Sequence, residues 1–175
     1  RKKVFLDLKF HDIPNTVANA IASAAELGVD MLTLHASGGS KMLQAAREAA
    51  DSVNNPPGLI AVTALTSLDS RDIESMGIGM QIDSYASFLA GCAAEYRMDG
   101  IVCSPMEAKT LRTELGPEPL LVTPGIRLRN AENDDQKRTA TAYEAVKAGS
   151  DFLVVGRPII KADDPVEAAA QILQQ

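Results

Sequence analysis

Short apolar runs rich in Val, Ile and Leu alternate with longer Ala-rich stretches along the whole chain, and this alternation restricts the folds open to it. The apolar runs predict strands over 4–9, 30–35, 58–63, 99–103, 119–123 and 151–155, each short and read as buried on both faces. The Ala-rich stretches predict helices over 15–27, 39–52, 70–76, 83–97, 105–115, 141–148 and 165–174. Pro14 near the start of the first helix and Gly28 past its end give the expected asymmetry of helix termini, and Asp12 is placed to cap it. Strands that alternate with helices imply a parallel sheet with right-handed crossovers. At 175 residues, the whole of 1–175 reads as one α/β domain.

Two architectures satisfy that pattern, an open doubly wound sheet and a closed (β/α)₈ barrel. No G-x-G-x-x-G follows the first strand, which removes the main support for a dinucleotide-binding open sheet. Polar and glycine residues instead cluster after nearly every strand, as in His35-Ala-Ser-Gly-Gly39, Thr63 to Ser67, Cys103-Ser-Pro105, Thr123-Pro-Gly-Ile-Arg127 and Gly156-Arg157. A barrel keeps its chemistry at those strand ends, but it needs eight strands and the pattern supplies six. No internal repeat is evident. Asn54-Asn-Pro-Pro-Gly58 reads as a turn, and the polar stretch 128–138 as either a solvated loop or a lid.

A net charge of −6 excludes a broad nucleic-acid or anionic-membrane surface, though not a small phosphorylated ligand held by a few local cations. No apolar stretch reaches the roughly 18 residues of a membrane span. The chain opens Arg1-Lys-Lys-Val, with neither an initiator Met nor a signal-peptide apolar core. Cys92 and Cys103 have no metal or disulfide spacing, and reduced thiols in a cytoplasmic protein are expected.

Chemistry concentrates at two places. Asp7 and Lys9 lie two apart inside the apolar run Val4–Phe10, so a strand period puts both on one face, and Asp12 follows where the strand gives way to a helix. Charges in a buried strand are costly unless paired. The pair is either a plain buried ion pair or a catalytic one, an ammonium held as a proton donor for a carbanion. At the other end, two Gly/Arg pairs, Gly125/Arg127 and Gly156/Arg157, follow consecutive strands. Glycine lets a backbone N–H approach a phosphate, and arginine supplies a forked, permanent charge. His11 and His35 read as structural histidines, His11 hydrogen-bonded at the strand end. Asp99 lies at the strand end away from the chemistry, and Met31, Met42, Met80 and Met106 read as core filler.

These motifs carry a resemblance. Asp7-x-Lys9-x-x-Asp12-Ile13-Pro14-Asn15-Thr16 resembles the orotidine 5′-phosphate decarboxylase family, bacterial type. The likeness continues through Thr33-Leu-His-Ala-Ser-Gly-Gly39, Ala61-Val-Thr-Ala-Leu-Thr-Ser67, Leu121-Val-Thr-Pro-Gly-Ile-Arg127, Asp135-Gln136-x-Arg138 and Val155-Gly-Arg-Pro-Ile159. It implies a TIM barrel and cofactor-free, metal-free decarboxylation of orotidine 5′-monophosphate to uridine 5′-monophosphate and CO₂ in pyrimidine biosynthesis. It implies Asp7, Lys9 and Asp12 as catalytic residues, Lys9 being the proton donor to the C6 carbanion. Thr66 would contact the pyrimidine and Pro124 line the base pocket. Arg127, Gln136, Gly156 and Arg157 would hold the phosphate, Gln136 from a closing loop. A homodimer is implied, with Asp12, Ile13 and Thr16 reaching the neighbouring site.

The resemblance also accounts for the six strands, which would answer to strands three to eight of the barrel. The family's first Lys and a ribose-binding Asp would fall on strands preceding Arg1, so little activity is expected from the 175 residues alone. Two alternatives stand beside this reading: a metal-dependent sugar-phosphate decarboxylase of the same suprafamily, and an inactive truncated fragment.

Overall fold

The computed structural model describes residues 2–127 and 138–174. Elements follow in the order β1 (Phe5–Phe10), α1 (Pro14–Glu26), β2 (Met31–His35), a 3₁₀ turn (Ala36–Gly38), α2 (Ser40–Asp51), β3 (Gly58–Val62), α3 (Ser70–Ser75) and α4 (Ile82–Glu95). They continue with β4 (Gly100–Val102), α5 (Pro105–Leu115), β5 (Leu120–Thr123), α6 (Ala142–Lys147), β6 (Phe152–Leu153), α7 (Arg157–Ile160) and α8 (Pro165–Leu173). Strand order is chain order, and the pairs β1–β2, β2–β3 and β5–β6 are parallel. The chain forms two compact units, Arg1–Thr63 with Ser87–Ile101, and Ala64–Ala86 with Val102–Gln175.

In the first unit α1 buries Val17, Ile21 and Ala24, a stripe at helical spacing, and packs on α2, which buries Met42, Leu43, Ala46 and Ala50. The interior of β2 and β3, Leu32 to Leu34 and Leu59 to Val62, is almost entirely removed from solvent. In the second unit Ile126, Ala142, Ala145 and Ile172 form a cluster against Leu153, Val155 and Ile159. Its helix starts are written in the sequence. Asp69, Ser104 and Thr141 each accept from the first turn in capping boxes completed by Asp72, Glu107 and Glu144.

One device recurs at every second strand. Asp30, Asp99 and Asp151 each stand immediately before a strand and accept a backbone N–H from the start of the preceding one. The bonds are Val4 N to Asp30 at 2.8 Å, Leu59 N to Asp99 at 2.8 Å and Leu121 N to Asp151 at 2.7 Å. Two of the three also hold an arginine, Arg47 on Asp99 at 3.0 Å and Arg112 on Asp151 at 2.5 Å. A search for sequence repeats misses this device because only one residue per unit is repeated.

Several expectations need correction. Asp12 does not cap α1; Ile13 occupies the N-cap position without a side-chain cap bond, and Asp12 accepts from Ile13 N at 2.7 Å. Pro14 takes the first helical position, so the N-cap falls on Ile13, one residue past Asp12. The outermost strands in the order are not buried on both faces: Leu8 of β1 is 58% and Phe152 of β6 44% exposed. Strand β6 is shorter than expected, since the backbone turns at Gly156 into α7, a helix that periodicity did not reveal. Met42 is core filler, but Met80 and Met106 lie on the surface, Met106 at 67% exposure.

Candidate active site

In the first unit the site is built on an irregularity of β1. Leu6 pairs with Leu32 and Phe10 with Leu34, so four steps of β1 span two steps of β2 and the segment between bulges. Lys9 sits within that bulge at φ +51°, a left-handed conformation for a residue with a full side chain. Such a conformation costs about 1–2 kcal/mol and persists where the surroundings impose it. Here Thr33 of β2 imposes it. Its buried hydroxyl accepts from Lys9 N at 2.8 Å and donates to Asp7 Oδ1 at 2.9 Å. Asp7 Oδ2 in turn accepts from Lys9 Nζ at 2.6 Å.

The two charges do meet, but a bulge joins them rather than a regular strand period. They are also not a buried ion pair, for the Lys9 and Asp7 side chains are 38% and 45% exposed. An exposed pair contributes about 1 kcal/mol at most. It does not by itself offset the strain, which the Lys9 N–H to Thr33 hydrogen bond holds in place. Thr33 is the member that reading the residues one by one missed. It lay within a quoted motif, but its partnership depends on the pairing of β1 with β2.

The rings of His11 and His35 meet, centroids 5.0 Å apart and tilted 36°. Burial, and then the nearby His11 and Lys9, hold the His35 imidazole below its ordinary value, against an opposing pull from Asp7. Beside this pair His11, Asp12, Ile13, Pro14 and Gly38 line a recess of about 330 Å³. Gly38 keeps the chain close to α2, because a Cβ there would overlap the Met42 side chain. Asp12, Ile13 and Thr16 are exposed, Ile13 at 66%.

In the second unit β5 and β6 run in register, Val122 beside Phe152 and Thr123 beside Leu153. Pro124–Arg127 and Val155–Arg157 therefore leave the same end of two adjacent strands. Gly125 adopts φ +81°, the turn conformation that glycine takes without strain. The turn is fixed by Ala140, whose carbonyl accepts from Arg127 N at 2.9 Å and whose N–H donates to Gly125 O at 3.2 Å. Arg127 donates from Nη1 to Ile126 O at 2.9 Å. Gly156 is the N-cap of α7, with open space where a side chain would stand, and Arg157 is the first residue of that helix. Arg127 and Arg157 are half-buried, as are Pro124 and Thr66. Gln136, and with it most of the stretch 128–138 expected as a loop or lid, lies outside the described residues.

A second feature absent from the sequence reading is the buried pair Arg138–Glu107, 9% and 3% exposed in their side chains. Glu107 closes the capping box of α5 from its third helical position. Its contact with Arg138 has no local signal in the sequence. Burial lowers the Arg138 guanidinium from its ordinary value, with Asp83 and Cys103 pulling the other way. Burial also pushes the Cys103 thiol up to about 12, so it is an unreactive core thiol. Among the described residues no group of three or more His, Cys, Asp or Glu is gathered to hold a metal ion, and no helix is long and apolar enough to cross a membrane.

A family model described as Orotidine 5′-phosphate decarboxylase / HUMPS family matches residues 1–172. An orotidine 5′-phosphate decarboxylase of Saccharophagus degradans is 54% identical over 169 residues, spanning 97% of this chain and 71% of the relative. One from Idiomarina loihiensis is 50% identical, spanning 97% of this chain and 74% of that relative. Among solved structures, orotidine 5′-phosphate decarboxylase from Lactobacillus acidophilus matches with a TM-score of 0.84 at 38% identity. That match covers 98% of this chain and 74% of the other.

Proposed function

The chain belongs to the Orotidine 5′-phosphate decarboxylase / HUMPS family, and from that premise we propose how its residues convert orotidine 5′-monophosphate to uridine 5′-monophosphate and CO₂. The observation that carries the reading is the Asp7–Lys9–Thr33 constellation, an ammonium paired with Asp7 on a strained backbone, with Thr33 bonded to both residues, within a motif that resembles the family's.

Asp7 stands against the substrate carboxylate, a ground-state cost met by binding energy from the remote phosphate. The bond from C6 to the carboxylate breaks, CO₂ departs and the electron pair remains on C6. The Lys9 ammonium stabilises that developing charge and then gives its proton to C6. Thr33 serves by keeping Asp7 and the Lys9 backbone in place.

Thr66 and Pro124 hold the base, and Arg127, Gln136, Gly156 and Arg157 hold the phosphate. The register of β5 and β6 supports this grouping, since it brings the two Gly/Arg turns to one end of adjacent strands. Asp12, Ile13 and Thr16 serve the neighbouring site of a homodimer, a role their exposure supports. The six strands answer to strands three to eight of an eight-strand barrel. The protein works in the cytoplasm, where nucleotide synthesis takes place.

The test is the loss of orotidylate absorbance with the native protein, with and without EDTA. Turnover indifferent to EDTA is the expected result. Turnover abolished by EDTA and restored by a divalent cation would instead place the chain with metal-dependent sugar-phosphate decarboxylases.

A further inference from the structure

We propose that Arg138, held by Glu107, is a positioning residue that fixes the peptide groups of Ala64–Leu65–Thr66 and so sets Thr66 against the base of the bound nucleotide. The proposal rests on the reading of Thr66 as the base contact.

Arg138 and Glu107 are both more than nine-tenths buried, at 8% and 4% exposure. Arg138 Nη2 donates to Ala64 O at 3.1 Å and Leu65 O at 2.8 Å, while Nη1 pairs with Glu107 Oε1. Glu107 Oε2 is engaged as well, accepting from Ser104 N at 3.0 Å. Burying two charges is costly until pairing and hydrogen bonds offset it. The loop after β3 does not require that outlay merely to fold. Its far side is already closed by Leu68 N donating to Leu65 O at 3.0 Å and by the Asp69–Asp72 capping box.

What remains for Arg138 to determine is the orientation of two peptide planes. Every described peptide is trans, and in a trans peptide the C=O and N–H point in opposite directions. Two successive carbonyls turned toward the buried guanidinium therefore turn the N–H groups of Leu65 and Thr66 away from it. Among the described residues neither N–H is spent on a backbone carbonyl. Leu65 is 37% exposed and Thr66 half-buried, so neither residue is sealed in the core. A planar fork can grip two carbonyls and a carboxylate at once. An ammonium cannot reproduce that geometry.

The experiment uses the native protein and two variants, Arg138→Lys and Glu107→Gln. The second keeps an acceptor for the cap of α5 and removes only the charge. Calorimetry compares uridine 5′-monophosphate with ribose 5-phosphate, which lacks the base. Arg138→Lys is expected to weaken the nucleotide about 10-fold, the scale of a lost hydrogen bond from a charged group, and to raise KM for orotidylate in step. Ribose 5-phosphate affinity should change by less than about twofold, as for an independent site. Glu107→Gln should show the same selective loss, to a smaller extent. Unchanged nucleotide affinity in both variants overturns the proposal. So does an equal loss for both ligands, or a failure of both variants to fold, since each would give the pair a purely structural role. Absence of orotidylate turnover in the unaltered protein would sink the functional reading instead, independently of the variants.

Discussion

Two sets of aspartates flank the strands, and they spend their oxygens differently. Asp30, Asp99 and Asp151, at strand beginnings, accept backbone N–H groups of neighbouring strands, and the last two also hold arginines. Asp7, within the bulge of β1, accepts among the described residues from side chains, the Thr33 hydroxyl and the Lys9 ammonium. Asp12, beyond that strand, accepts from the N–H of its own neighbour. The first set ties strand to strand. The second leaves the ladder irregular and the charge near solvent. Their partners thus separate the carboxylates that tie strands together from those left beside the proposed chemistry.

Substitutions can break that division. After Lys9, the largest effect on rate is expected at Asp7. Asp7→Ala should lower kcat about 10³-fold while leaving the unfolding free energy within about 1 kcal/mol, because the exposed pair contributes little to stability. Steady-state kinetics and denaturant titration of one preparation check both halves. A drop in stability matching the drop in rate would erase the distinction.

Arg157→Ala comes next. It should raise KM about 10–100-fold with a lesser change in kcat, as expected when a charged hydrogen bond to a remote group is lost. An unchanged KM would remove Arg157 from the phosphate end.

The smallest effect on rate, and the clearest on stability, belongs to the other set. Asp151→Ala leaves Leu121 N and Arg112 without their shared acceptor. It should cost about 1–3 kcal/mol of stability and lower Tm, with kcat and KM unaltered below the transition. Asp99→Ala should behave alike. Loss of activity without loss of stability would reverse the assignment of the two sets.

Of these aspartates, Asp7, Asp12 and Asp99 stood out in the sequence and Asp30 and Asp151 did not. The alternation of apolar and Ala-rich runs located the strands and the longer helices, because buried strands and amphipathic helices differ in period and length. The candidate residues were legible as well, because Asp7-x-Lys9-x-x-Asp12 and the paired Gly/Arg turns are local. What could not be read depends on contacts between distant segments. The bulge that lifts Lys9 to φ +51° is fixed by Thr33, 24 residues away. The Arg138 fork closes on carbonyls more than 70 residues earlier, and no local pattern signals it. The expectation for Asp12 failed on a single position, since Pro14 moved the cap to Ile13. Met80 and Met106 failed because hydrophobicity alone does not say which face of a turn or helix meets the core.

The account turns on Lys9 as the proton donor, and Lys9→Ala in the native protein tests it most directly. Orotidylate turnover should fall by about 10⁴-fold or more, while uridine 5′-monophosphate still binds and Tm moves little. Turnover close to that of the unaltered protein would contradict it.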